Sequence, residues 1–457
     1  MTFIEQLAHW VLSFDFDRLS ETAVRHAKLL LLDSIGCGLA ALGEEEFRAA
    51  VSVVEQMGGV AECTILGSAT LTSAPNAVLA NGALIRALDL NDIYWGRNRG
   101  GHPSDNMATV LAAAERQGAS GRDVITAIVI GYEIDGRLRD INAAETDFDY
   151  TTYSGLVSAT TAGRLLGLNH DRLTDAMALG ATFAPSLAVI RGGMISAAKW
   201  LGTGLASHMG VLAALLAAEG LSGPRGVFED PHGWGEVILP GADVARLLEP
   251  ASSDFRIEHA SIKAYPSVMT SQAPVAAALQ ARSWLSGSVR DVERIDLRIA
   301  DIPMLRSHVS NPQRRHPASH ETADHSIHFL VAVALLDGEL TPRQFEHERW
   351  LDPEVLAMMD RIQVAVDPTL NNDTDTFPCG ITLTLRSGES ATAEVPYHPG
   401  HHHDGGMNAG IVGAKFDVYA AMRLDEAART KVKDFILHLE AAESVRPLME
   451  LLRPYRT

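Results

Sequence analysis

A mainly helical protein is predicted, built as a large bundle of closely packed helices with a smaller α+β portion. Three observations carry this. Over roughly the first 260 residues, Ala, Leu and Gly recur at helical spacing and strand-like alternation is rare. After Lys263 the pattern changes to short period-two segments. Beyond residue 412 the helical pattern returns.

The elements follow in order. Ser20-Glu21-Thr22-Ala23 opens an Ala/Leu-rich stretch as a helix start does. Leu29–Leu42 is apolar and contains Gly36 and Gly38, which suits a close-packed buried helix with Gly43 as its stop. Helical spacing continues over Asn76–Leu88, Met107–Glu115, Val124–Arg137, Ser154–Leu166, Asp171–Leu187, Ala197–Ala218 and Gly241–Leu248. Strands are expected at Val292–Ala300, Arg361–Asp367, Ile381–Leu385 and Ala391–Val395, the last two joined by the turn Arg386-Ser387-Gly388-Glu389. Helical stretches near His325–Leu336 and Pro353–Asp360 separate the first two strands. Val412–Arg423 and Asp425–Leu451 close the chain as helix.

The 457 residues are too many for one ordinary core and imply more than one domain. With 46% hydrophobic and 21% charged residues, the composition is globular rather than disordered. Apolar runs such as Val331–Leu336 are too short to span a bilayer, so no membrane segment is expected. No basic segment followed by an apolar run opens the chain, and a cytoplasmic protein is expected. Cys37, Cys63 and Cys379 lie far apart and read as reduced thiols. The formal charge of −19 opposes binding to nucleic acid and anionic membranes, and makes any lysine aimed into a pocket stand out.

Four segments offer chemistry. In the first, Asp89, Asn91 and Asp92 end a helix, and a Gly-rich loop then delivers His102-Pro103-Ser104-Asp105-Asn106 onto the next. A His at a helix N-terminus is held neutral by the dipole, and a neutral His is a usable general base. The same residue types serve equally as caps and turn formers. In the second and third, Lys199 sits in an apolar helix and Lys263 where the helical half ends. A buried lysine needs a counter-charge, and a substrate carboxylate or a protein acid can supply it. The fourth, His320 to His328, holds three His with Glu321 and Asp324. Its spacing is not a standard ligand spacing, so no metal is expected there or at His401–His403, which reads as a polar loop. Neither GxxxxGK[ST], GxGxxG after a strand, nor GxSxG occurs, which disfavours nucleotide chemistry and serine hydrolysis.

In this order, eight segments resemble the MmgE/PrpD family, whose members include 2-methylcitrate dehydratase, cis-aconitate decarboxylase and iminodisuccinate epimerase. They are DSIGC (33–37), ALDLND (87–92), GHPSDN (101–106), GYEIDGRL (131–138), SAAKW (196–200), IKAYPS (262–267), ETADHS (321–326) and VAVALLDGE (331–339), spread from about Val11 to Phe416. The resemblance implies an all-helical domain in two parts, 1–265 and 404–457, with an α+β lid domain inserted at 266–403. It also implies a homodimer, a site between the domains, and no organic cofactor or metal. The family's acidic and histidine positions fall on Asp89 and His102, and its pocket lysines on Lys199 and Lys263. Asn91, Asp92, Ser104, Gln272 and His325 are expected to bind substrate. The chain departs from the family at Tyr150 and Gln272, which stand where members have histidines, at Phe329 for a tyrosine and at Ile93 for a threonine.

The expected function is dehydration or hydration of a small di- or tricarboxylic acid, begun by removing a proton beside a carboxylate. The GHPSDN form looks closer to the dehydratase branch. Lys199 and Lys263 would hold carboxylates and the developing charge, His102 would move the proton with Asp89 orienting it, and Tyr150 would handle the second proton. Return of the proton to the other face would make an epimerase, and loss of carbon dioxide a decarboxylase. A non-catalytic binding protein on the same fold is the alternative of another class.

Overall fold

The computed structural model describes residues 1–96, 100–142, 146–192, 195–250, 254–371 and 376–453. Helix accounts for 61% and strand for 9%, so the protein is mainly helical with small sheets. Among the described residues, nine principal helices form the first half: α1 (Phe3–Leu12), α2 (Glu21–Ala40), α3 (Glu45–Met57), α4 (Ala74–Ala87), α5 (Met107–Gln117), α6 (Gly121–Ile141), α7 (Thr152–Leu165), α8 (His170–Phe183) and α9 (Ala198–Ala218). Ser20 caps α2 by accepting from the Ala23 N–H, as its sequence predicts.

One apolar cluster unites these helices, and helix Ala409–Ala420 packs against α2 within it. Helices Glu426–Leu437 and Arg446–Leu451 join the same core. A second cluster is centred on a four-stranded sheet of β5 (Val292–Ala300), β6 (Ile362–Asp367), β7 (Cys379–Leu385) and β8 (Ser390–Val395). Two short ribbons precede these strands, β1 (Cys63–Thr64) with β2 (Leu71–Thr72), and β3 (Tyr94–Trp95) with β4 (Gly100–Gly101). The sheet order is β6-β5-β7-β8, with β5 and β6 parallel and the other pairs antiparallel. β8 alternates exposed and buried residues along its length, so one face meets the core. That core is filled by helices Gln272–Trp284 and Ile327–Asp337.

The strand segments anticipated from alternation all form. Several helical expectations change. Gly241–Leu248 contains only a short 3-10 turn, Val244–Leu248. Asp425–Leu451 breaks into Glu426–Leu437, a turn at Leu439–Ala441 and Arg446–Leu451, because Pro447 fits only at a helix start. Asp171–Leu187 stops at Phe183, two residues before Pro185. Helices α1, α3 and Gln272–Trp284 were not anticipated.

Among the described residues, two helices are longer than the uninterrupted apolar runs of the sequence. Helices Glu21–Gly43 and Ala198–Ala218 are long and apolar enough to cross a bilayer. The first is largely buried inside the protein, where it carries Asp33 and Ser34 in the core. The second carries Lys199, which is buried, and exposes one apolar stripe.

α4 and α9 place the site, and they cross at van der Waals contact. A Cβ on Gly82 would lie 3.1 Å from the Gly204 Cα, and one on Gly204 would lie 2.7 Å from the Leu79 carbonyl oxygen. Neither backbone can yield without separating the helices. Gly204→Val should therefore lower stability by about 1–3 kcal/mol, the usual cost of overpacking. Denaturant unfolding checks this, and an unchanged midpoint would show that the crossing has slack.

Candidate active site

The turn after α4 creates the centre. Asp89 has φ 47°, a left-handed conformation that Asp tolerates better than most residues but that still costs energy. This turn aims the buried Asp89 carboxylate inward. Lys263 Nζ donates to its Oδ1 at 2.5 Å and to its backbone carbonyl at 2.8 Å. Lys199 Nζ, from the first turn of α9, donates to Oδ2 at 3.1 Å and to Asp324 Oδ2 at 3.1 Å. The fully buried Arg86 reaches Oδ1 at 3.7 Å. Burial alone would raise the Asp89 carboxyl, but the charges of Lys199, Lys263 and Arg86 outweigh it and hold the group well below the usual carboxylate range.

Each ammonium carries three N–H groups. Two on each lysine have carboxylate or carbonyl acceptors among the described residues. Lys199 Nζ also stands 3.4 Å from His325 Nδ1, whose proton is directed to Asp324, so each ammonium has a third N–H to offer another anion.

Two imidazoles face the same carboxylate. His102 Nδ1 lies 2.5 Å from the Asp92 carbonyl oxygen, which can only accept. Nδ1 therefore carries the proton, and the bare Nε2 stands 4.0 Å from Asp89 Oδ1. Burial, then the charges of Arg86 and Lys263, push the His102 pKa well below its ordinary value, so the ring is neutral. The sequence predicts the same neutral ring, there from the helix dipole. His325 Nδ1 is hydrogen-bonded to Asp324, and its Nε2 is 3.7 Å from Asp89 Oδ2. Burial lowers His325 to about 4 despite Asp324.

The remaining polar residues brace the turn. Asn91 accepts from Arg86 Nη1 at 2.6 Å and donates to Ser104 Oγ at 2.7 Å. Ser104 Oγ and the Tyr132 hydroxyl donate to Asp92 at 2.5 and 2.7 Å, and burial raises that carboxyl to about 7. Lys415 Nζ donates to the Leu90 carbonyl at 2.8 Å and pairs with Asp33 at 2.6 Å. Ile93 and Ser261 exchange backbone hydrogen bonds at 2.6 and 2.8 Å, tying the turn to the segment that carries Lys263. The Gly-rich loop before His102 runs through residues 97–99, which lie outside the described residues. Its Gly101 has no room for a Cβ, which would sit 1.9 Å from the Arg139 guanidinium.

Tyr150 accepts from Arg86 Nη2 at 2.9 Å, and its ring centroid is 5.7 Å from that of His102. Burial pushes its phenol above the usual range, so it keeps its proton. Gln272 lies apart from these contacts. Its amide oxygen accepts from the Ala264 and Tyr265 N–H groups, and its NH₂ donates to the Tyr265 and Ser267 carbonyls. Those bonds commit it to shaping the loop after Lys263.

Asp89, His102, Lys199, Lys263, Tyr150 and His325 thus meet in one cluster, with Asn91, Asp92 and Ser104 behind it. Arg86 and Arg191 were not singled out from sequence, and Asp324 was read only as one acid of the 320–328 run. Arg86 showed the same signal as Lys199, a cation within an apolar helix, but near a helix C-terminus Arg reads as a dipole partner. Of the three histidines in the 320–328 run, His320 stacks on Phe345 and His328 lies beside Arg315. Asp89, Asp324 and His325 offer ligand atoms within 4.8 Å of one another, a grouping a metal ion can use. The Lys199 ammonium stands among them, at 3.1, 3.1 and 3.4 Å.

A buried carboxylate shared by two lysines, flanked by a neutral imidazole with a bare nitrogen, is an arrangement chemically able to hold an anion and to move a proton. Residues 5–247 match the MmgE/PrpD N-terminal domain and residues 265–441 the MmgE/PrpD C-terminal domain. The chain belongs to the MmgE/PrpD family. It is 27% identical to the 2-methylcitrate dehydratase of Cupriavidus necator, over 87% of this chain and 86% of that one. It is 26% identical to the 2-methylcitrate dehydratase of Salmonella typhimurium, over 99% and 96%. It is 25% identical to the cis-aconitate decarboxylase of Mus musculus, over 87% and 82%.

Burial lowers Lys263 to about 8, against the opposing pull of Asp89. Its ammonium is therefore present below that pH and lost above it. If activity needs the charge, kcat/KM should fall about tenfold per pH unit above roughly 8. Whatever activity Lys263→Arg retains should lack that limb, since guanidinium stays charged. A pH–rate profile of both proteins checks this.

Proposed function

We propose that this protein is a lyase of the 2-methylcitrate dehydratase type, dehydrating or hydrating a small di- or tricarboxylic acid. The observation that carries the reading is the convergence of Lys199, Lys263 and the bare Nε2 of His102 on one buried carboxylate. Removing a proton beside a carboxylate builds negative charge on that carboxylate. The unused N–H groups of Lys199 and Lys263 are donors for it, in surroundings where such contacts are strong. His102 Nε2 accepts the proton, and Asp92 holds the ring in the tautomer that leaves Nε2 bare. The Tyr150 hydroxyl, polarised by Arg86, gives its proton to the departing hydroxide. No cofactor or metal enters these steps.

The described groups are nearly sealed, so substrate must reach them by a movement of chain. We assign that movement to residues 266–403 acting as a lid on the helical core, with the site at their junction. Lys199 and Asp89 belong to the helical part, and Asp324 and His325 to the sheet-bearing part. Decarboxylation is the second reading, favoured by the likeness to cis-aconitate decarboxylase. It shares the charged intermediate and differs in the bond that breaks.

We also propose a cytoplasmic homodimer, and the outer face of α9 supports the dimer. Leu201, Leu205, Met209, Leu212 and Leu216 form a stripe on its outer side, with Leu205 49% and Leu216 39% exposed. The end of α8 and the turn beside α9 add the exposed Phe183, Leu187 and Val189. A second copy of the chain covers this face. Light scattering should find a two-chain particle that Leu205→Glu with Leu216→Glu splits, and a wild-type monomer would refute the assembly.

An NMR screen in heavy water across small di- and tricarboxylic acids tests the chemistry. Deuterium should enter carbon beside a carboxylate, and an alkene should form from 2-methylcitrate or citrate. Lys199→Ala should lower kcat/KM at least about tenfold while remaining folded, the loss expected for one anion contact. Exchange in no acid would refute the lyase. A chelator should leave turnover intact, and a loss restored by metal would make Asp89, Asp324 and His325 ligands instead.

A further inference from the structure

Arg191 differs from the other cations of the site. Lys199, Lys263 and Arg86 are committed to Asp89 and have side chains 2%, 0% and 0% exposed, whereas Arg191 is 23% exposed. Its guanidinium lies over the Tyr150 ring, 4.3 Å from the centroid. That ring also stands beside His102 and bonds Arg86. Arg191 is therefore the cation at the outer side of the cluster, one aromatic ring away from the base.

Its partnership with Asp149 is lopsided. Asp149 Oδ2 accepts from Arg191 Nε at 2.5 Å and Oδ1 from Nη2 at 3.3 Å. The Asp149 carboxylate is buried and separately anchored, since Oδ1 also accepts from the Thr151 N–H at 3.0 Å. Arg191 sits on a short turn, Ala188–Arg191, and its Nη1 makes no hydrogen bond among the described residues. A guanidinium has five N–H groups in a flat fork that suits a carboxylate. The anion partner is fixed, and the cation has donors to spare.

We propose that Arg191 is a specificity-determining residue that binds the distal carboxylate of a tricarboxylate, from across the Tyr150 ring, in competition with Asp149. This rests on the lyase reading above. The substrate's reacting carboxylate lies at Lys199 and Lys263, and a second carboxylate extends past Tyr150 to the free edge of Arg191. Tyr150 supplies the flat face that keeps the guanidinium aimed. An acid without that distal arm gains nothing from Arg191.

The test compares wild type, Arg191→Gln and Asp149→Asn by deuterium exchange in heavy water. The probes are citrate, 2-methylcitrate and citramalate, which is citrate with one acetate arm shortened to a methyl group. Arg191→Gln should raise the KM of the better tricarboxylate about 10–100-fold and change that of citramalate less than about threefold, as expected for one charge-assisted contact. Asp149→Asn should move the tricarboxylate KM the opposite way, downward, because it removes the competitor. Equal impairment of all three acids by both variants would reduce the pair to a structural brace and overturn the proposal. So would a wild type that handles citramalate as well as the tricarboxylates. A wild type that exchanges neither tricarboxylate would also overturn the proposal, whereas only exchange in no acid of the wider screen would overturn the lyase reading itself, so the two failures are distinguishable before any variant is made.

Discussion

The Asp89 carboxylate is the one counter-charge shared by Lys199, Lys263 and Arg86, and the site is organised around it. Burying cations is costly unless they are paired, and removing one partner of a buried cluster leaves the others uncompensated. The left-handed turn at Asp89 is the local cost of presenting the carboxylate to all three. Everything behind it serves that turn: Arg86 bonds Asn91, Ser104 bonds Asp92, Lys415 holds the Leu90 carbonyl, and Ser261 pairs with Ile93. Segments distant in the chain are joined at one point because each brings a charge that needs the same neutralisation.

The same surroundings set the imidazoles. Dense positive charge and burial keep His102 and His325 neutral, while each donates Nδ1–H to a fixed acceptor and turns Nε2 toward Asp89. A base can thus sit beside lysines without being protonated. Burial lowers Lys263 to about 8, so its charge is lost above that pH.

The four positions expected from sequence to depart from the family pattern sit in different surroundings. Phe329 is fully buried against Phe345 and Trp350, an apolar setting that gives a hydroxyl no evident role. Ile93 acts through its backbone, in the bridge to Ser261. Gln272 uses both halves of its amide on the loop that follows Lys263, a ring of donors and acceptors that a histidine cannot match. Tyr150 alone faces the charged cluster. Its hydroxyl accepts from Arg86 and its ring lies beside His102.

The helical character of the first half, the four strands of the sheet and most residues of the charged cluster were legible in the sequence. Periodicity reports which face of an element is buried, and a lysine inside an apolar helix is conspicuous wherever it lies. Helix ends beyond proline, the short 3-10 turns and α3 were not legible, because local pattern is weak where tertiary contacts decide the boundary. Order along the chain also could not reveal that Lys199 and Lys263 share Asp89, that His102 turns a bare Nε2 toward it, or that Gln272 is taken up by a loop. Lys199 and Lys263 meet Asp89 across 110 and 174 residues, while His102 and Gln272 bond partners 10 or fewer residues away through ring and amide orientations that local pattern does not fix. Hydrogen-bond partners and the charges around a buried group, which set its protonation, exist only once the chain has folded.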